Sequence, residues 1–226
     1  MLTVTEVAGD LQLLTQAELR VAAGLASSDS SQDTALATYG LRAAAALAAA
    51  CGVAKAGYDA SYLAESPVLR GEAPRTLKAE TLSEKFRVKS AGQNKTLYLS
   101  RWPVLEIVSV TEDTSELTSE DWDLDIPEAS LTRVSGNATM FWPAGRVTVE
   151  YAAGYDTIPE DLKGYAARLV SLYYQSDGED PNEKSVEIPG VIKIDRWVDT
   201  TASDNIVPDD IMAGVTRDGF RKPVLA

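Results

Sequence analysis

Three carboxylates stand at alternate positions in Asp121-Trp-Asp-Leu-Asp125, a spacing that would suit a shared ligand. On a strand, residues at i, i+2 and i+4 line one face, so these three could gather a calcium ion. The helix–loop–helix calcium pattern fails here. Counted from Asp121, its sixth position is Ile126 where that loop needs glycine, and its twelfth is Thr132 where it needs glutamate. The competing arrangement turns Trp122, Leu124 and Ile126 inward and leaves the aspartates in solvent. Glu179, Asp180 and Glu183, in a polar break, read as a solvated loop.

Other routes to chemistry are thin. There is no histidine, which removes serine–histidine and cysteine–histidine catalysis and imidazole-bound metals together. The single cysteine, Cys51, allows neither a CxxC zinc site nor an intrachain disulfide. Within AALAAACGVA it reads as a small buried thiol packed on alanines. No glycine-rich phosphate loop is present. The expectation is a chain that is not an enzyme and carries no cofactor and no metal.

The elements that would position any site are clearer. In Val147 to Tyr174, Val147, Val149 and Tyr151 alternate as in a half-buried strand. Gly154 permits a positive φ at the turn. Pro159 suits a first helical position, with Glu160 and Asp161 at the positive end of the helix dipole. Leu162, Tyr165, Ala166, Leu169, Val170 and Tyr173 then repeat along one helix face. Near the start, Thr15 and Glu18 form a capping box for a helix from Gln16 to about Leu25. A longer helix is expected over Asp33 to Ala54, where seven of the eight residues from Ala43 to Ala50 are alanine. So bare a helix suits close packing, within the subunit or between subunits.

Strand patterns fill Thr81–Lys89, Thr96–Ser100, Leu105–Glu112, Trp122–Ile126, Leu131–Val134 and Arg146–Tyr151. Val207-Pro-Asp-Asp210 opens a last short helix with Ile211, Met212 and Val215 on its apolar side. The fold class expected is α+β: a helical bundle with an inserted antiparallel β-sheet or small sandwich and an extended C-terminal arm. The expected division is residues 1–78 for the N-terminal bundle helices, 79–155 for the inserted β-rich region, 156–180 for a bundle helix, and 181–226 for the arm and short helix. Trp102, Trp122 and Trp142 fall inside strand patterns and are expected in the core.

Composition narrows the classes further. Apolar residues make up 45% of the chain, enough for a folded core. The formal net charge of −13 opposes any role that coats nucleic acid by neutralising phosphates. On charge alone it suits the solubility of an acidic folded protein first, and a surface past which DNA slides without sticking second. The most apolar segment, Leu41 to Ala56, is too alanine-rich and too short for a membrane span, and MLTVTEVAGD lacks the pattern of a secretory signal. Synthesis in the cytoplasm is expected.

The order strand, Tyr151-Ala-Ala-Gly-Tyr155, Ile158-Pro-Glu-Asp-Leu-Lys163 and an aromatic helix end resembles the head–tail connector (adaptor) proteins of tailed phages, including gene transfer agent adaptors. Leu99-Ser-Arg-Trp-Pro-Val-Leu-Glu-Ile-Val-Ser-Val110 is similar to the strand entry of that family. Leu14-Thr-Gln-Ala-Glu-Leu19, with Asp29, Asp33 and the alanine-rich helix, is similar to its opening helix pair. The resemblance runs from about Leu13 to Pro223. It implies a structural subunit of the virion neck, made in the host cytoplasm and active between capsid and tail. Such a subunit forms a ring of about twelve copies under the portal protein, and by closing on itself extends the DNA channel. Stopper or other tail-proximal neck proteins dock below, DNA passes through the lumen without specific binding, and no membrane is involved. The expected portal or subunit contacts are Trp197 in the extended arm and the basic-apolar tail residues Arg217, Phe220, Arg221, Lys222, Val224 and Leu225. The alternative is a non-catalytic β-rich ligand- or metal-binding module using Asp121–Asp125 and exposed tryptophans.

Overall fold

The computed structural model describes residues 1–58, 72–136, 138–176 and 207–221, together with the backbone of 185–188 and 192–195. Nine-residue strands β4 (Glu80–Val88), β6 (Val104–Glu112) and β11 (Gly145–Ala153) form its centre, with β11 paired antiparallel to both. Their alternation is that of a sheet with one apolar face: Val147, Val149, Tyr151 and Ala153 are buried, while the residues between them are half-exposed.

Strand β1 (Leu2–Glu6) lies beside β4 and extends this sheet. Strands β2 (Ala56–Tyr58) and β3 (Glu72–Ala73) follow, and β7 (Ser115–Glu116) closes the far edge. The order is β3-β2-β1-β4-β11-β6-β7, seven strands. It is antiparallel except where β1 meets β2 in parallel, a departure from the all-antiparallel expectation. Strand β1 carries little signal of its own, since its five residues include two threonines and only Leu2 and Val4 as apolar positions. Pairing to β4, some eighty residues on, stabilises it.

A second, smaller sheet pairs β9 (Ser130–Ser135) with β5 (Thr96–Tyr98), β8 (Trp122–Asp125) and β10 (Ala138–Thr139). Leu97, Leu99, Leu131 and Trp142 join Val110, Val147, Val149 and Tyr151 in one apolar cluster, so the two sheets share a core. As expected, Trp142 is fully buried and Trp102 and Trp122 pack on that cluster. A separate pair, β12 (Ser185–Ile188) and β13 (Ile192–Asp195), runs antiparallel within the stretch expected as the C-terminal arm.

Among the described residues there are four helices: α1 (Gln16–Ala22), α2 (Asp33–Ala50), α3 (Glu160–Gln175) and α4 (Asp209–Arg217). The capping box is present, with the Glu18 N–H donating to Thr15 Oγ1 (3.3 Å) and the Thr15 N–H donating to Glu18 Oε2 (2.6 Å). Helices α1 and α2 end earlier than expected, because Gly24 and Gly52 take positive φ values of 77° and 76°. Pro159 and Pro208 sit just before their helices rather than inside them. A second apolar cluster runs through all four helices and includes Leu36, Leu47, Leu162, Leu169, Ile211 and Val215. Its alanines let α2 approach α3 closely, and Cys51 lies in it with no exposed surface. Burial pushes the Cys51 thiol up to about 12, so it is an inert packing group.

Candidate functional site

The aspartate cluster is built on β8 and the turn before it. Asp121 Oδ2 accepts the Thr118 hydroxyl (2.8 Å) and backbone N–H (3.0 Å), and Oδ1 accepts from Arg133 (3.2 Å). These bonds, the hydroxyl first, hold its carboxyl below the usual range. Asp125 Oδ1 accepts the Glu128 N–H at 3.1 Å. Two of the three carboxylates therefore already serve turns, and among the described residues no group of three acidic, histidine or cysteine side chains is placed to hold a metal. Trp122 and Leu124 pack inward as expected, but Ile126 does not. It is 52% exposed, because the strand ends at Asp125 and the chain turns there.

A polar network missed in the sequence lies on the buried face of the large sheet. Glu84 Oε2 accepts from the Tyr151 hydroxyl (2.9 Å) and the Ser100 N–H (2.9 Å), and the Ser100 hydroxyl donates to Oε1. Arg101 donates through Nη1 to Glu80 Oε2 (3.1 Å) and to the Thr76 carbonyl (3.4 Å). Glu80, Glu84 and Arg101 are each at most 5% exposed. Burial pushes the Glu80 carboxyl up to about 7 against the opposing pull of Arg101, and burial lowers Arg101. Burial also raises Tyr151. The Ser100 hydroxyl faces the Glu84 carboxylate, but the sheet core closes over the set and leaves its charged groups almost no exposed surface. Its partners lie up to 67 residues apart, so no local pattern could have revealed it.

The junction itself matches its sequence. Gly154 takes φ 118°, and a Cβ there would lie 2.6 Å from the Lys78 carbonyl carbon. Ala79 and Tyr155 exchange backbone bonds with this crossing (Ala79 N–H to Tyr155 O, 3.2 Å; Tyr155 N–H to Leu77 O, 2.8 Å). Two segments of the chain thus meet backbone to backbone where β11 hands over to α3.

Of the seven proposed contact residues, Arg217, Phe220 and Arg221 are described. Trp197, Lys222, Val224 and Leu225 lie outside the described residues. Helix α4 is seated on α3 by Gly214, where a Cβ would approach the Tyr165 ring to 2.7 Å, and by the Arg168–Asp210 ion pair. The Tyr165 hydroxyl donates to Asp218 (2.6 Å), which also pairs with Arg217 (2.9 Å). Phe220 packs edge-on against Tyr155, centroids 6.4 Å apart, inside the helical cluster. Arg217 and Arg221 are exposed. The structure thus brings Arg217, Phe220 and Arg221 to one end of α4, with the aromatic turned into its own subunit.

No family model matches the sequence, and no curated protein matches it. Solved structures do. A chain from the neck of an empty GTA particle, computed with C6 symmetry, is 18% identical, covering 100% of this chain and 97% of that one, with a TM-score of 0.57. A chain from the virion of a native gene transfer agent (GTA) particle is 18% identical with the same coverage and a TM-score of 0.55. A chain from the neck of a native GTA particle, computed with C12 symmetry, is 17% identical over 99% and 97%, with a TM-score of 0.51. This chain is therefore similar in fold, along its whole length, to chains of gene transfer agent particles.

Proposed function

We propose that this chain is a structural head–tail connector (adaptor) subunit of a phage or gene transfer agent virion neck. It forms a ring beneath the portal protein, extends the DNA channel, and links the capsid to stopper and tail components. The observation that carries this reading is the whole-length fold similarity to neck chains, at coverage of 97% or more on both sides. The motif order of the Val147–Tyr174 junction supports it independently. The C6 and C12 symmetries of the similar necks fit a closed ring of head-to-tail copies.

In this reading the four helices are the rigid bundle and residues 79–155 the inserted β-rich body. Residues 181–226 are the arm that reaches the portal or a neighbouring subunit. Arg217 and Arg221 offer exposed cations at the start of that contact. Trp197, Lys222, Val224 and Leu225 supply the remainder, and Phe220 anchors the arm to its own helices. The acidic chain keeps DNA moving by repulsion rather than by binding it. The subunit works by placement and does no covalent chemistry. Deleting residues 222–226 tests the arm: portal binding by the purified chain is expected to fall while its melting temperature holds. Unchanged portal binding would remove the arm from the interface.

A further inference from the structure

Register polarises the outer face of the large sheet. Lys85, Arg87 and Lys89 fall at i, i+2 and i+4 on and just beyond β4, so they share a face. Unbroken pairing sets Arg87 directly opposite Arg146 of β11. All four cations are exposed, and among the described residues none makes an ion pair. Asp113 lies in the same open cleft, but its carboxylate takes the Arg146 backbone N–H (2.9 Å). Like charges directly opposite one another destabilise a strand pair, so the monomer carries an unrelieved repulsion here.

Six residues back along β4, about 20 Å at the rise of a strand, the same face changes sign. Register runs Glu6–Thr81–Ala152–Glu106 across four strands. Thr81 and Ala152 have the same parity as Arg87 and Arg146, which keeps both rows on one face. Asp156 joins this acidic end, an open cleft of about 620 Å³ that Val7 and Leu105 also line. Both apolar side chains are exposed, 42% and 40%. Between the rows stand Glu150, whose carboxylate accepts the Ser109 hydroxyl (3.3 Å), and the short hydroxyl side chains of Ser109, Thr111 and Thr148.

We propose that this face binds a second copy of the chain, laid across it in the opposite direction about a two-fold axis. The basic row of each copy then covers the acidic row of the other. Both rows are satisfied at once, the Arg87–Arg146 repulsion is relieved by opposing carboxylates, and the aliphatic stems of Lys85 and Lys89 cover Val7 and Leu105. A phosphodiester backbone fits less well. It would meet four cations but be repelled by the acidic end of the same face and by a chain of net charge −13. The pairing does not rest on the neck reading, since it is a property of the isolated chain.

Sedimentation equilibrium of the full chain tests it. The wild type is expected to form a reversible dimer that weakens with salt. Arg87→Glu/Arg146→Glu and Glu6→Lys/Glu106→Lys are each expected to weaken it at least about tenfold, and an equimolar mixture to recover a heterodimer. Carbodiimide coupling of isotope-labelled with unlabelled copies is expected to join Lys85 or Lys89 to Glu6 or Glu106 between copies. The positions are exposed, and two independent charge reversals guard against a folding defect in one. A chain monomeric throughout at low salt would overturn the proposal, as would a dimer indifferent to both reversals. So would four cations that bind a duplex oligonucleotide in preference to a second copy.

Discussion

At the scale of single residues, the informative positions are those where a local rule is broken. The Arg87–Arg146 pair opposes like charges across two strands. In the monomer, Arg146→Glu converts that repulsion into attraction and is expected to raise stability by about 0.5–1 kcal/mol in urea unfolding at low salt. The double Arg87→Glu/Arg146→Glu variant restores like charges and is expected to show no gain. Glu80 breaks a different rule, being a carboxyl at 5% exposure with a value raised to about 7 by burial. The folded chain then holds a proton more tightly than the unfolded chain, whose carboxyl titrates near 4.5. Its contribution to stability is present below 4.5 and is lost as pH rises through 7. Glu80→Gln is expected to flatten that fall in a series of melts from pH 4.5 to 7.5 while lowering stability by about 3 kcal/mol, since Arg101 is left buried without its partner. Residue-level reading of the sequence worked where the cause was local, as at Thr15–Glu18, Gly154 and Cys51. It failed at Glu80, Glu84 and Arg101, whose partners come from distant strands. It also failed at Ile126, where a strand stopped one residue short.

At the scale of elements, period and punctuation carried most of the information. The helices at Asp33, Glu160 and Asp209, and the strands β4, β5, β6, β8, β9 and β11, begin and end within a few residues of the positions their alternation and glycines indicate. The short strands β2, β3, β7 and β10, at two or three residues each, have too few side chains to show a period. Strand β1 exists because β4 offers it a ladder, a cause that no five-residue window contains. The β11–α3 junction is the element most tightly specified. Gly154→Ala forces a Cβ onto the Lys78 backbone at a φ that alanine rarely adopts. It is expected to cost about 2 kcal/mol or more in thermal unfolding, whereas Gly164→Ala, in open space on an exposed helix face, is expected to stabilise by about 0.5–1 kcal/mol. Gly164→Ala is the matched control.

At the scale of the molecule, two apolar clusters, one in the sheets and one in the helices, meet at a backbone-to-backbone crossing with a buried ion pair beside it. Such a junction suits the ring subunit proposed above. The contact residues stayed least legible, because an interface leaves in one chain only half of its pattern. Sequence order alone suggested the tail, and Phe220 turned out to pack within its own subunit. For the polarised sheet face, register rather than sequence spacing brought Arg146 and Glu106 into their rows. The neck assignment is tested most directly by electron cryo-microscopy of particles isolated from cells that produce this chain. The account predicts a closed ring of this fold between the portal and the tail, of the kind seen in necks computed with C12 symmetry. Particles whose portal and tail are joined at normal yield without this chain would contradict it.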